Sequence, residues 1–166
     1  MAATAAATPA RIAVICAGRQ LDWRAFWARA ERLAATLARH GVAPGDSVAS
    51  VALSSVDYAV LWAAVLRLRA TMAPLAPSST PDQIAAMVAD SGARLVFTDA
   101  PARRDFGAVL GPFQLVDLDD LDAWIDADAP LPPLGPLDPQ AAFNIIYSSG
   151  TTGTPKGIVQ SCAMRS

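Results

Sequence analysis

The chain has 166 residues, 53% hydrophobic and 17% charged, with a formal net charge of −2 and an isoelectric point near 5.2. Such a composition supports a real core and excludes a chain disordered overall, and the slightly acidic balance excludes general nucleic-acid binding. The longest apolar run, Tyr58 to Leu66, is nine residues between Asp57 and Arg67, far short of the ~20 that a membrane-spanning helix needs. Cys16 and Cys162 lie far apart and match no metal-binding spacing. With no basic segment opening the chain, they suggest a reduced, cytoplasmic setting.

Residues 1–10 are Ala/Thr-rich and uncharged and read as a loose N-terminus. Residues 11–129 read as one α/β unit. Ile12 to Cys16 has the pattern of a strand. Asp22 is placed to cap a helix running to about Arg39. Trp23, Phe26, Trp27, Ala30, Leu33, Ala34 and Leu37 recur there at helical spacing and form one apolar face. His40-Gly41 ends this helix, Pro44-Gly45-Asp46 turns the chain, and Val48 to Leu53 is the next strand. A second helix, about Ser55 to Leu68, turns Tyr58, Leu61, Trp62, Val65 and Leu68 inward. Thr80 caps a third helix with Pro81 at its first position. It runs to Ser91-Gly92 and leads into a strand at Arg94 to Phe97. The patterns from Pro101 to Ala129 are weaker: a short helix, a strand at Phe113 to Val116, and a helix near Leu121 to Ile125. Alternating strands and helices imply an open, mainly parallel sheet flanked by helices. Residues 130–140 form a connector stiffened by five prolines between Pro130 and Pro139. Residues 141–166 read as the start of a further subdomain, opening on an apolar strand from Ala141 to Tyr147.

That strand runs into Tyr147-Ser148-Ser149-Gly150-Thr151-Thr152-Gly153-Thr154-Pro155-Lys156-Gly157. A strand opening into a glycine-rich turn is where open α/β sheets place ligands. Gly150, Gly153 and Gly157 can take positive φ and bring backbone N–H groups against an anion. The hydroxyls of Ser148, Ser149, Thr151, Thr152 and Thr154 add donors, and Lys156 adds a compact positive charge. This is polyphosphate-binding chemistry. The segment is not a Walker A loop, because Pro155 stands where the second glycine belongs.

Other residues invite chemistry and have plainer explanations. Asp117, Asp119, Asp120, Asp122, Asp126 and Asp128 resemble a calcium loop, yet Asp122 replaces its required glycine and Asp128 its bidentate glutamate. A solvated helix start accounts for them better. His40 sits where a helix C-terminus welcomes its charge. Trp23, Trp27, Trp62 and Trp124 suit core packing. Cys162 follows a donor-rich loop, but reads as a small apolar residue rather than a reactive thiol.

The order YSSGTTGTPKG resembles the signature of the adenylate-forming enzymes: acyl- and aryl-CoA synthetases, luciferase, and the adenylation domains of peptide synthetases. Four further segments resemble that family in the same order: Gly18 to Trp23 before a helix, His40 to Ala49, Leu66 to Pro77, and Ser91 to Asp99. The resemblance spans residues 10 to 163. It implies the N-terminal part of that fold, and a carboxylic acid attacking ATP to give an acyl-adenylate and pyrophosphate. CoA or a carrier thiol then displaces AMP. It makes Ser148, Ser149, Gly150, Thr151, Thr152, Gly153, Thr154 and Lys156 the ATP-contacting residues, with Mg²⁺ on the β- and γ-phosphates. It assigns this stretch no catalytic residue and no direct metal ligand. The "FNIIYSSGTTGTPKGIV" stretch is closer to acyl-CoA synthetases than to peptide synthetases.

Three departures from the family pattern stand out. Its members are several times longer, and the segments that build their adenine pocket, ribose-binding aspartate, hinge and C-terminal lysine have no counterpart here. This polypeptide alone is therefore expected not to complete the reaction. Cys162 falls where many members carry histidine, and Arg69 where they carry glycine. A second reading, a non-catalytic remnant acting as a binding or interaction module, stays open. A split enzyme completed by another chain is a third.

Overall fold

The computed structural model describes residues 1–136, 138–148 and 156–165, Arg165 by its backbone alone. Helix α1 (Ala2–Ala7) is followed by strands β1 (Ile12–Cys16) and β2 (Arg19–Asp22) and helix α2 (Trp23–Arg39). Strands and helices then alternate through β3 (Ser47–Val51), α3 (Val56–Arg67), β4 (Thr71–Leu75), α4 (Pro81–Ser91), β5 (Leu95–Thr98), α5 (Ala100–Leu110) and β6 (Gln114–Asp117). A short helix α6 (Leu121–Trp124), strands β7 (Ala142–Ser148) and β8 (Lys156–Ser161), and a 3-10 turn (Cys162–Arg165) complete the described chain.

Strands β1 and β2 form an antiparallel hairpin, and the other six form one sheet in the order β6-β5-β3-β4-β7-β8. Neighbours in that sheet are parallel except β8, which runs antiparallel to β7. The expected open, mainly parallel α/β sheet is what the chain forms.

Helices start where a side-chain oxygen can take an otherwise unpaired N–H. Asp22 accepts from the Ala25 N–H at 2.7 Å, Ser55 from Tyr58 at 3.0 Å, and Asp99 from Ala102 at 2.8 Å. Thr80 and Gln83 make a reciprocal capping box at the start of α4, which Gly92 closes with φ of 70°.

Strand residues alternate between the two faces. Val48, Met72, Leu95, Phe97 and Val116 join α2, α3 and α6 in one apolar layer. Ala49, Val51, Ala73, Leu75 and Val96 join α4 and α5 in the other. Parallel strands covered on both sides need this near-continuous apolar sequence.

Three parts differ from the sequence expectation. The start of the chain is helical, since alanine has the highest helix propensity, and Ala5 is buried. Residues 141–166 add β7 and β8 to the same sheet as β3 to β6. Of β7 only Asn144 and Ile145 are buried, because β8 is an edge strand and Ile146 stays 37% exposed. The aspartates from 117 to 126 are not simply solvated. Asp117 pairs with Arg103 at 2.6 Å, Asp122 with Arg29 at 2.9 Å, and Asp126 with Arg39. Asp119 accepts from the Ala100 N–H at 2.7 Å.

Candidate functional site

All five parallel strands end on one edge of the sheet, and β7 carries its last residue, Ser148, to that carboxyl edge. Chain reversal into β8 puts Lys156 directly opposite Ser148 in the antiparallel register. Cross-strand partners project to the same face with Cβ atoms about 5 Å apart. A hydroxyl and an ammonium group therefore stand side by side, both exposed, at the two ends of the Ser/Thr/Gly segment. Ser149, Gly150, Thr151, Thr152, Gly153 and Thr154, the remaining expected contacts, lie outside the described residues.

The opposite face of the hairpin is occupied. Tyr147 and Gly157 are the next cross-strand pair. The Tyr147 hydroxyl donates a 2.8 Å hydrogen bond to Asp90 on α4. Burial, with Asp90 as acceptor adding to it, raises the phenol pKa well above the ordinary tyrosine range. Gly157 was expected to serve through positive φ. It is instead an ordinary strand residue whose missing side chain leaves room: a Cβ there would lie 3.0 Å from Ile145 Cγ2, 3.1 Å from Asp90 and 3.1 Å from the Tyr147 ring. Sequence reasoning missed Asp90. The one signal it had was a carboxylate at the end of a helix whose following strand lies in the same sheet.

Cys162 is not brought to this end. It follows the far end of β8, where Ser161 pairs with Ala142. Six residues at ~3.3 Å rise put it about 20 Å from Lys156. There it lines an apolar cavity of about 430 Å³ with Trp27, Phe143 and Leu134. His40 caps α2 and stacks on Trp124 with ring centroids 4.7 Å apart. Trp23, Trp27, Trp62 and Trp124 all pack against the core. Among the described residues no group of three or more His, Cys, Asp or Glu could hold a metal, and no helix is long and apolar enough to cross a membrane.

Residues 1–164 match the family model described as AMP-binding enzyme. The chain belongs to that family. Among curated AMP-binding relatives, tyrocidine synthase 3 of Brevibacillus parabrevis is 34% identical over 155 residues. That alignment takes in 92% of this chain and 2% of the relative. Among solved structures, o-succinylbenzoate coenzyme A synthetase of Bacillus subtilis, in complex with AMP, superposes with a TM-score of 0.81 at 26% identity. It covers 96% of this chain and 41% of that protein. The N-terminal domain of FACL13 from Mycobacterium tuberculosis gives 0.83 at 26% identity, covering 97% and 43%. The chain thus spans less than half the length of each of these relatives.

Proposed function

We propose that the Ser148–Lys156 hairpin end holds the β- and γ-phosphates of ATP while a carboxylic acid is converted to its acyl-adenylate. The observation that carries this reading is the register that sets Ser148 opposite Lys156 at the carboxyl edge. In the reaction a carboxylate oxygen bonds the α-phosphorus, and the bond to the β-phosphate oxygen breaks with its electron pair leaving on pyrophosphate. Charge accumulates on that leaving group, and a fixed ammonium and hydroxyl lower its energy without reorganising. The same two side chains suit an anion rather than a bare cation. Mg²⁺ would therefore ride on the phosphate oxygens, adding further charge neutralisation. Ser149, Gly150, Thr151, Thr152, Gly153 and Thr154 complete the proposed ATP contacts.

CoA is the thiol that then takes the acyl group in the first reading, an acyl- or aryl-CoA synthetase. Likeness to o-succinylbenzoate coenzyme A synthetase supports it. The second reading is an amino-acid-activating unit with a carrier thiol, favoured by the 34% identity with tyrocidine synthase 3. Either reaction, and two unpaired half-buried cysteines, suits an ATP-containing reducing compartment, the cytoplasm.

Calorimetry of MgATP with the 166-residue chain tests the phosphate site. Millimolar or tighter binding is expected, weakened about tenfold or more in Lys156→Ala, since a charge-assisted contact is lost. If a cooperatively folded chain does not bind MgATP, the phosphate reading fails and an interaction module takes its place.

A further inference from the structure

We infer that Asp90 is a positioning residue for the loop-end groups Ser148 and Lys156, acting through Tyr147, with Gly157 supplying the gap through which they meet. The inference rests on the phosphate reading proposed above and deepens it.

Three independent features converge on one point. Tyr147 immediately precedes Ser148, and Gly157 immediately follows Lys156. The two face each other across the hairpin, so whatever holds this pair holds both loop ends. Tyr147 donates to Asp90 at 2.8 Å. The space that a side chain at Gly157 would fill is taken by the Tyr147 ring, the Asp90 carboxylate and Ile145, all within 3.0 to 3.1 Å of the Cβ position. The tyrosine ring thus passes over Gly157 of β8 to reach α4, and one hydrogen bond ties β7 to that helix across it.

The hairpin lies at the edge of the sheet: β7 pairs with β4, Met72 opposite Asn144, and β8 is the outermost strand among the described residues. A tie to α4 holds its loop end from the face as well. Helix α4 is a firm anchor, with its capping box and the buried Ile84, Met87 and Val88. The carboxylate engages a neutral phenol on the face away from Ser148 and Lys156, so it orders the site without occupying it.

The test uses Tyr147→Phe, Asp90→Asn and their double variant in the 166-residue chain. It reads amide hydrogen exchange together with calorimetric MgATP affinity. Exchange at Ile146 to Ser148 and at Gly157 is expected to rise about fivefold in each variant, the value of one net hydrogen bond. Amides in β3 should be unchanged. MgATP should bind about fivefold more weakly, the double variant no worse than either single one, because both remove the same bond. Gly157→Ala should reproduce the effect without removing the bond's partners. Unchanged exchange, or additive losses in the double variant, would overturn the inference. Binding lost in Lys156→Ala but intact in the tyrosine and aspartate variants would leave the phosphate reading standing and this one fallen. Altered exchange in a chain that binds no MgATP would show that the phosphate reading has failed and this inference with it, leaving only a structural tie between Tyr147 and Asp90.

Discussion

Arg69 sits with φ of 59° where the chain turns from α3 into β4. That is left-handed territory, costing a residue with a Cβ about 1 kcal/mol, and a glycine there would avoid it. The arginine gains little in exchange: its Nη2 reaches the Gly135 carbonyl only at 3.4 Å. Arg69→Gly should therefore raise unfolding free energy by about 1 kcal/mol in urea titration. A loss would mean that the guanidinium contacts outweigh the strain. Tyr147 makes a pH prediction. Its folded pKa is raised above the ordinary 10.0, first by burial and then by its bond to Asp90. The folded state then holds this proton more tightly than the unfolded state. Stability from it is complete below pH 10.0 and falls as pH rises beyond. Denaturation curves between neutral and strongly alkaline pH should show that decline, and Tyr147→Phe should lack it.

At the scale of elements, Asp57 fastens the helical layer. Its side chain, 8% exposed, bonds Arg29 at 2.7 Å and Arg19 at 2.6 Å, and Arg29 continues to Asp122. Strand β2 and helices α2, α3 and α6 are joined through one carboxylate. Arg19 is largely exposed and adds little. The bond to the mostly buried Arg29 matters more, because removing Asp57 leaves that guanidinium, among the described residues, only the exposed Asp122 as an ion-pair partner. Asp57→Ala is expected to cost about 2–3 kcal/mol, measured by denaturant unfolding, and a cost under ~0.5 kcal/mol would contradict this role. Caps and periodicity made most elements readable beforehand. Asp22, Ser55 and Thr80 each stand where the expected helix begins, because a capping oxygen is a local device. Strand β8 was not anticipated. KGIVQS is short and of mixed pattern, and becomes a strand by pairing with β7.

On the scale of the molecule, β8 closes one edge of the sheet among the described residues. It shows Ile158 and Val159 at 52% and 57% exposure, one to each face. An exposed apolar edge strand favours pairing with another chain. The 166-residue polypeptide should associate with rising concentration in sedimentation velocity, and Val159→Lys should suppress it. An equal tendency in the variant would move the contact elsewhere.

The sequence by itself determined the family and the α/β class, because helix caps, apolar periodicity and an ordered Gly/Ser/Thr/Lys segment are legible over a few neighbouring residues. Tertiary structure alone decided the strand order, since β7 must cross from β6 at one edge to β4 on the other side. It also decided that Ser148 faces Lys156, that Cys162 lies far from both, and that Gly157 serves as space rather than through positive φ. These depend on which strands meet and in what register. Residues 57 apart in the chain, Asp90 and Tyr147, become partners only once the sheet has brought α4 and β7 together.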